Sequence, residues 1–332
     1  MIKVVADSAI PFLKEALEGR VELVCAPGVE IDKSMLSSAD ALIVRTRTRC
    51  DRALLEESSI GLLSTATIGF DHIDIDYCHS QGIEVTTAAG CNARGVLQWV
   101  AAALVSLLRR VGSRPEELTL GVVGVGHVGS LVKEYAEMWG FRVLCCDPPR
   151  QAREGGDFVT LEQIARQCDI ITFHTPFDET TYHLCNADIL AMTRPESIII
   201  NTSRGAVVDN LALLKSGRRC ALDVWEWEPR VSRELLERAE LATPHIAGYS
   251  LQGKANATSM VVEALNRKFR LNLGGWYPPS VRRSNPMPIS WEELSQTIFG
   301  YFNIEAQSMA LKSAPEHFEH MRDTYSYREE YF

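Results

Sequence analysis

Short apolar runs alternate with segments of helical period from Met1 to about Gly90. The runs IKVVA, VELVC, ALIVR, LLSTAT and IEVTT have the length and the branched side chains of buried strands. Between them, PFLKEALEG and IDIDYCHSQG have the spacing of amphipathic helices. Strands that alternate with helices are typical of a parallel sheet covered on both faces. The pattern therefore predicts a small α/β domain over residues 1–92.

A nearly all-apolar helix follows, ARGVLQWVAAALVSLLRRV. Val96, Val100 and Leu104 recur on one face, but the other faces are apolar too, so we expect a buried helix. Asn92 stands just before it and has the side chain of a helix N-cap.

The strand–helix alternation resumes through DIITFHTP, SIIINTSRG, CALDVW and ELATPHIAG. Thr160 and Gln163 have the spacing of a capping box that opens a helix. These patterns predict a second parallel-sheet domain over residues 93–252. The fold class expected for the chain is thus α/β, with two doubly wound parallel-sheet domains and a short C-terminal segment.

The rest of the chain is expected to be divided between these parts. A helix at 253–272 is expected to return to the first domain and complete it. Residues 273–332 begin with the Gly- and Pro-rich stretch GGWYPPSVRRSNPMP, which is typical of a linker. The segment after it is too short for a core of its own, so we expect it to dock on other structure, such as a second subunit.

A glycine motif lies at the start of the second domain, in LTLGVVGVGHVGSLVKEYAEMWGFRVLCCD. Gly124, Gly126 and Gly129 form G-x-G-x-x-G between a predicted strand and a predicted helix, and Asp147 follows the next strand. The glycines permit a tight turn, a close approach of pyrophosphate and close helix–strand packing. The motif predicts a dinucleotide site.

Asp147 also indicates which dinucleotide binds. A carboxylate at this position accepts hydrogen bonds from the ribose 2′-OH and favours NAD over NADP. Arg150 could instead bind a 2′-phosphate, but a solvated loop arginine is the preferred interpretation while Asp147 is present.

The bulk composition excludes some classes of function. The net charge of −9 argues against general binding of nucleic acid or anionic membranes. No segment has the length and apolarity of a membrane span, and the N-terminal residues lack the pattern of a signal peptide. The nine cysteines are odd in number and scattered, which suits reduced thiols and a cytoplasmic location.

Chemically useful side chains fall at the predicted strand ends of the second domain: Thr175, Arg204, Asp223, Glu228 and His245. A neutral histidine such as His245 can take the proton of an alcohol while NAD takes the hydride. Arg204 can hold a substrate carboxylate by a bidentate pair. Either Glu228 or Glu226 could orient the imidazole, and spacing alone leaves both open.

The other histidines have no such assignment. His183 has polar neighbours and no obvious partner. His317 and His320 have a spacing that could suit a metal, but a solvated helix face is preferred, and no metal is predicted.

These motifs together resemble the D-isomer-specific 2-hydroxyacid dehydrogenase family. The resemblance lies in GVVGVGHVG, Asp147, HTP, NTSRGAVVD, LDVWEWEP and TPHIAGYSLQGKA, in that order, and runs from the N-terminus to about Phe269. It implies a catalytic set of Arg204, Glu228 and His245, with Glu228 chosen because it directly precedes the proline. It implies NAD-binding residues Gly124, Gly126, His127, Val128, Gly129, Asp147, Thr175, Thr202, Ser203, Arg204, Asp223 and Gly248, and substrate-binding residues Thr46, Thr67 and Tyr249.

Two departures from the family pattern concern His127, where asparagine is common, and Gln98, where glutamate is common. Arg45, Arg47 and Arg49 alternate beside Thr46 and could form a phosphate-binding patch or a solvated basic edge.

Within the family, CDPPR, GCNA, DVWEWEP and HIAGYSLQGKA are most similar to members that serve vitamin B6 biosynthesis. This resemblance implies NAD-dependent oxidation of 4-phospho-D-erythronate to (R)-3-hydroxy-2-oxo-4-phosphonooxybutanoate, and the YREEYF end resembles a short dimerisation region, so a homodimer is expected. The alternatives are another D-2-hydroxyacid dehydrogenase, acting on phosphoglycerate or a simple hydroxy acid, and a non-catalytic NAD(H)-binding regulator.

Overall fold

The computed structural model describes residues 1–332 and divides into two compact units. Unit 1 consists of Met1–Asn92 and Leu251–Arg283, and unit 2 consists of Ala93–Ser250 and Ser284–Phe332. Each unit is therefore formed by two separate segments of the chain.

Unit 1 is built on a parallel sheet of five strands in the order β2-β1-β3-β4-β5. The strands are β1 (Lys3–Asp7), β2 (Glu22–Ala26), β3 (Ala41–Val44), β4 (Leu62–Thr65) and β5 (Glu84–Thr87). The helices are α1 (Leu13–Leu17), α2 (Lys33–Leu36), α3 (Arg52–Leu55), α4 (Ile75–Ser80) and α12 (Leu251–Phe269). The predicted strands and helices of this region are all present.

Two apolar clusters cover the two faces of this sheet. Val4 and Ala6 of β1 join the cluster that holds residues of α1 and α12, whereas Val5 joins the cluster that holds residues of α2, α3 and α4. Successive strand residues point to opposite faces, so a strand buried on both faces is mostly apolar. This is why the first domain shows continuous apolar runs.

Unit 2 is built on a parallel sheet of six strands in the order β11-β10-β9-β8-β6-β7. The strands are β6 (Thr119–Val123), β7 (Arg142–Cys146), β8 (Ile170–Phe173), β9 (Ile198–Asn201), β10 (Arg219–Leu222) and β11 (Leu241–Ala242). The helices are α5 (Ala93–Val111), α6 (His127–Trp139), α7 (Pro148–Glu154), α8 (Leu161–Gln167), α9 (Ala187–Met192), α10 (Asn210–Ser216), α11 (Arg233–Arg238), α13 (Trp291–Tyr301), α14 (Ile304–Ser313) and α15 (Phe318–Asp323). The prediction of two doubly wound parallel-sheet domains is confirmed.

The register of this sheet aligns the carboxyl ends of its strands. Val123 pairs with both Cys146 and Phe173, and Asn201 pairs with both Phe173 and Leu222. The residues that follow these strands therefore meet along one edge of unit 2, which is where ligands of doubly wound sheets bind.

Helix α5 begins at Ala93 as expected and is buried over most of its length. The prediction that the Asn92 side chain caps it is wrong, because Asn92 Oδ1 is buried without a hydrogen-bond partner. The predicted capping box at α8 is present, with Thr160 Oγ1 accepting from Gln163 N at 3.2 Å.

The C-terminal residues from Ser284 onward pack on unit 2 rather than forming a body of their own. Leu294, Ile298 and Phe332 belong to the cluster around α5 and α6, whereas Leu311 and Phe318 belong to the cluster on the other face of the sheet. None of the helices combines the length and apolarity needed to cross a membrane.

Candidate active site

The glycine loop after β6 has the shape that a pyrophosphate requires. A Cβ on Gly124, whose φ is +85°, would lie 2.8 Å from the carbonyl of His174, and a Cβ on Gly129 would lie 1.9 Å from Gly124 O. A Cβ on Gly126 would meet nothing within 4 Å. Two glycines thus permit close backbone packing, while the third leaves open space at the N-terminus of α6.

Asp147 follows β7 beside this loop and caps the N-terminus of α7. Its Oδ2 accepts from Val125 N at 2.7 Å and its Oδ1 accepts from Arg150 N at 2.9 Å. The carboxylate is half-buried, so it both supports the glycine loop and presents a negative charge at the loop's edge.

Arg150 differs from the solvated loop arginine that was preferred from the sequence. Its Nη1 donates to Val125 O at 2.6 Å and to Ser130 Oγ at 3.0 Å, and its Nε pairs with Glu154 at 2.8 Å. The guanidinium therefore braces the glycine loop from the side of α7, and that interpretation was wrong.

His174, which directly follows β8, lies beside Thr172 of β8 and Thr202 after β9. His174 Nε2 lies 2.9 Å from Thr172 Oγ1, and its Nδ1 lies 3.2 Å from Thr202 Oγ1. Burial lowers the pKa of His174 to about 3, so this ring is neutral and structural. Thr175 Oγ1 is buried without a hydrogen-bond partner in the chain. An orphaned hydroxyl beside an open glycine loop fits a ligand with polar groups, as a dinucleotide has.

Asp223 follows β10 and is 1% exposed. Its Oδ1 accepts from Thr243 Oγ1 at 2.6 Å and Ile246 N at 2.8 Å, and its Oδ2 accepts from Ala247 N at 2.9 Å. Burial raises the pKa of Asp223, although the charge of His245 and these hydrogen bonds act in the opposite direction. The carboxylate thus fixes the segment that carries His245.

His245 and Glu228 form a close pair at this edge of the sheet. His245 Nδ1 lies 2.5 Å from Glu228 Oε1, and the two side chains are 25% and 23% exposed. Burial raises the pKa of Glu228, but the charge and hydrogen bond of His245, with the charge of Arg322, outweigh it and lower the pKa overall. The φ of His245 is +57°, an uncommon conformation for a residue with a side chain.

The rival carboxylate Glu226 has a different partner. Its Oε1 lies 2.7 Å from His183 Nε2, and its Oε2 accepts from Asn210 N at 2.8 Å. His183 Nδ1 also lies 3.6 Å from Asp209 Oδ2. His183 therefore has two acidic partners that its sequence neighbours did not indicate, and the structure pairs Glu228, rather than Glu226, with His245.

Arg204 follows β9 on a turn packed tightly against the segment of the two glutamates. Its Nη1 donates to Ser203 O at 2.8 Å, and its carbonyl accepts from Asn201 Nδ2 at 2.8 Å. A Cβ on Gly205 would lie 2.0 Å from the carbonyl of Trp225, so only glycine allows the two backbones to meet here. The sequence alone did not predict this contact between Gly205 and Trp225.

The expected substrate residues of unit 1 follow two of its strands. Thr46 is exposed two residues after β3. Thr67 Oγ1 lies 2.6 Å from Thr65 Oγ1 and donates to Gly69 O at 3.0 Å. Nearby, Arg45 Nη1 donates to Ala9 O at 3.1 Å and Arg49 Nε pairs with Asp51 at 2.9 Å. Arg45 and Arg49 thus have different partners. A phosphate-binding patch and a solvated basic edge both remain predictions for these arginines.

The C-terminal residues reach the His245 segment, which the sequence did not predict. Arg328 is 8% exposed and its guanidinium donates to the carbonyls of Gly95, Ile246, Ala247 and Tyr249. Arg322 Nε donates to Tyr249 Oη at 3.2 Å. No motif marks these arginines, because their partners lie far away in the chain and are mostly backbone atoms.

The remaining expected cofactor residues lie on the same loops of unit 2. Ser203 Oγ donates to Asn201 Oδ1 at 2.8 Å, and Gly248 is half-buried three residues after His245. His127 and Val128 open α6, so the asparagine-to-histidine departure leaves the backbone N–H groups at the helix start. The structure thus brings the unit 2 residues of the expected site to one sheet edge.

Comparisons with known proteins identify the family of this chain. Residues 93–247 match the family model described as the NAD binding domain of D-isomer specific 2-hydroxyacid dehydrogenases. An erythronate-4-phosphate dehydrogenase of Bacteroides thetaiotaomicron is 42% identical over 99% of this chain and 97% of its own length. One from Pseudomonas putida is 45% identical over 80% of this chain and 72% of its own length.

Solved structures are also similar. A D-lactate dehydrogenase from Aquifex aeolicus, in complex with NAD and lactic acid, is 25% identical and has a TM-score of 0.69 over 84% of this chain and all of its own. An NAD-bound 3-phosphoglycerate dehydrogenase from Entamoeba histolytica is 24% identical and has a TM-score of 0.70 over 82% of this chain and 96% of its own, which supports the fold.

Proposed function

This chain belongs to the erythronate-4-phosphate dehydrogenases, within the D-isomer-specific 2-hydroxyacid dehydrogenase family, and from that premise we propose how it acts on its substrate. It is an NAD-dependent dehydrogenase, and the reaction is the oxidation of 4-phospho-D-erythronate to (R)-3-hydroxy-2-oxo-4-phosphonooxybutanoate. This reaction serves pyridoxal 5′-phosphate biosynthesis. The observation that supports the catalytic assignment best is the 2.5 Å contact between His245 Nδ1 and Glu228 Oε1.

We propose that His245 is the general base. Because Nδ1 donates to the Glu228 carboxylate, the neutral ring has its lone pair on Nε2. Nε2 takes the proton of the C2 hydroxyl as the C2–H bond gives up its hydride, and the imidazolium is stabilised by Glu228. NAD, when bound, supplies the hydride acceptor. In the reverse reaction the imidazolium returns the proton to the oxygen of the C2 carbonyl.

Arg204 is proposed to hold the substrate carboxylate and polarise the C2 oxygen. A guanidinium forms two parallel hydrogen bonds with a carboxylate, which fixes both distance and plane. The packing of Gly205 against Trp225 supports this role, since it ties the Arg204 turn to the segment that leads to Glu228.

The residues proposed to bind the cofactor are Gly124, Gly126, His127, Val128, Gly129, Asp147, Thr175, Thr202, Ser203, Arg204, Asp223 and Gly248. The open space at Gly126 and the orphaned Thr175 hydroxyl support the part of this set nearest the pyrophosphate. Thr46 and Thr67 in unit 1 and Tyr249 in unit 2 are proposed substrate ligands, and the two units are proposed as the substrate domain and the NAD domain.

The decisive experiment follows NADH absorbance with a panel of hydroxy acids. We expect 4-phospho-D-erythronate to have the highest kcat/KM, above D-3-phosphoglycerate, D-lactate and D-erythronate. A higher value for one of the others would assign this chain a different hydroxy acid. No NADH formation with any acid would contradict the proposed catalysis and leave a binding role for the dinucleotide site.

We also propose that the protein is a homodimer formed through its C-terminal residues. Tyr301 and Met309 are 53% and 66% exposed, so this segment presents large apolar side chains outward. Met309→Glu should then lower the sedimentation coefficient from dimer to monomer, whereas Met260→Glu, on α12, should not. An unchanged oligomer in the Met309 variant would move the interface elsewhere.

A cytoplasmic location is proposed from the cysteines. All nine are free and eight are buried, which suits a compartment that keeps thiols reduced.

A further inference from the structure

Arg322 lies on α15, in the C-terminal part of unit 2, close to the catalytic pair. Its Nε donates to Tyr249 Oη at 3.2 Å, and Tyr249 follows His245 by four residues. The charge of Arg322 is among the causes that lower the pKa of Glu228. A residue distant in sequence thus adds a positive charge next to the proposed site of hydride transfer.

Arg322 has one long ion pair within the chain, and the charge of Glu228 also lies near it. The side chain is 22% exposed, and its ion-pair partner is Glu319, 3.5 Å from Nη1 and itself 43% exposed. Its other hydrogen bond is to a neutral hydroxyl. Removing a guanidinium from water is costly unless it gains strong partners, so this arrangement suits a site that receives an anion.

A purely structural role for Arg322 is less well supported. Arg328, six residues on, already anchors the C-terminal segment through the backbone carbonyls of Gly95, Ile246, Ala247 and Tyr249. The hydrogen bond of Arg322 goes to the Tyr249 hydroxyl and its ion pair to Glu319, rather than to backbone carbonyls. Of the two arginines, Arg328 holds the fold and Arg322 presents N–H donors.

We propose that Arg322, with the Tyr249 hydroxyl beside it, binds the phosphate of the substrate. This inference rests on the proposed function, because it assigns the C4 phosphate ester of that substrate to a residue. The ester is carried two carbons beyond the reacting C2, so its site must lie close to His245 without contacting the transferred hydride. A guanidinium fork matches phosphate oxygens bidentately, and a tyrosine hydroxyl can both accept from the arginine and donate to an anion.

The first test compares a phosphorylated with an unphosphorylated substrate. Wild type, Arg322→Gln, Arg322→Lys and the control Arg233→Gln are assayed with 4-phospho-D-erythronate and D-erythronate; Arg233 is on the surface, with a 74% exposed side chain. Arg322→Gln should lower kcat/KM for the phosphorylated acid about 10- to 100-fold, mainly through KM, and change that for D-erythronate less than about 3-fold. For the phosphorylated acid, the kcat/KM of Arg322→Lys should lie between those of wild type and Arg322→Gln, because an ammonium keeps the charge but cannot form the two parallel hydrogen bonds of a guanidinium.

Equal losses with both substrates would overturn the proposal, since they would mean that Arg322 acts through Glu228 or through the fold. Unchanged kinetics in Arg322→Gln would overturn it as well. If wild type prefers an unphosphorylated acid, it is the proposed function that fails.

The second test does not depend on turnover. Inorganic phosphate is added to the NAD-saturated protein and the melting temperature is followed. Wild type and Arg233→Gln should be stabilised, and Arg322→Gln should lose most of this shift while keeping the shift caused by NAD, which reports an intact fold. An equal phosphate shift in Arg322→Gln would overturn the phosphate site even if the proposed function holds.

Discussion

The clearest test of how unit 2 is held together is the replacement of Arg328 by methionine. Methionine has similar length and no donors, so Arg328→Met keeps much of the packing against Phe302, whose ring centre is 4.3 Å from the guanidinium carbon. It removes the Arg328 donors from the carbonyls of Gly95, Ile246, Ala247 and Tyr249, although Ile246 O keeps its hydrogen bond from Tyr249 N at 2.9 Å. The segment after His245 then loses its anchor to the C-terminal residues and to the start of α5.

The size of the effect follows from these contacts. A buried carbonyl that loses its last donor costs about 1–3 kcal/mol. The four carbonyls do not each lose that much, because Ile246 O keeps Tyr249 N as a donor. They share one guanidinium, and Gly248 and Tyr249 are half-buried, so water can replace part of the loss. The desolvation cost of the arginine also disappears. We expect Arg328→Met to lower the free energy of unfolding by about 3–5 kcal/mol.

Thermal unfolding by circular dichroism measures this loss. For a domain of this size, about 3–5 kcal/mol corresponds to a Tm lower by about 6–20 °C. The Tm of Arg328→Lys should fall between those of wild type and Arg328→Met. The Tm of Arg233→Met, at an exposed position, should stay within about 1 °C of wild type. Below its melting temperature, Arg328→Met should also have a lower kcat, since the backbone next to His245 is loosened. A stability within about 1 kcal/mol of wild type would refute the view that Arg328 anchors this segment.

Three further predictions concern the site itself. Asp147→Ala should lower the ratio of kcat/KM for NAD to kcat/KM for NADP at least about tenfold, because it removes a charge that repels a 2′-phosphate. An unchanged ratio would mean that Asp147 does not face the ribose. Arg204→Lys should lower kcat/KM about 10- to 100-fold, since an ammonium keeps the charge but not the fork, and near-normal kinetics would remove Arg204 from the site. Glu228→Gln should lower kcat at least about tenfold, whereas the matched Glu226→Gln should lower it much less, because Glu226 pairs with His183. Because the folded pKa of Glu228 is lowered, its contribution to stability is present at neutral pH and is lost as the pH falls through that pKa. The free energy of unfolding, measured by urea titration between about pH 6 and pH 3, should therefore depend less on pH for Glu228→Gln than for wild type. An equal pH dependence in the two proteins would refute the pairing.

Much of the fold follows from the sequence because the sheet strands are buried on both faces. Such strands are mostly apolar, and the strand before Gly124 is an example, with Leu120, Val122 and Val123 buried. The glycine motif adds a local geometry that few other residues allow. Parallel strands then place Asp147, Arg204, Asp223 and His245 at one edge without any knowledge of side-chain contacts.

What the sequence could not predict depends on contacts between distant residues. Spacing alone left Glu226 and Glu228 equivalent, although the family resemblance implied Glu228. The contact that occupies Glu226 is with His183, which lies more than forty positions earlier. Arg150 was interpreted as solvated because its partners Val125 O and Ser130 Oγ lie in the glycine loop and in α6, 20 or more positions before it. The role of Arg328 could not be predicted for the same reason, because every residue has a backbone carbonyl and the sequence does not show which of them accept from Arg328.

The contacts of Arg328 also have a consequence for the rate at which the protein becomes active. The hydrogen bond from Arg328 to Gly95 O spans 233 positions of chain, and the one to Ile246 O spans 82. Bringing such distant points together carries a large loop-closure entropy, so native contacts of this range form slowly and late. During refolding from urea, we therefore expect the secondary structure of both sheets to return before NADH formation does. The lag between the two signals would be the time needed for the C-terminal residues to find the His245 segment.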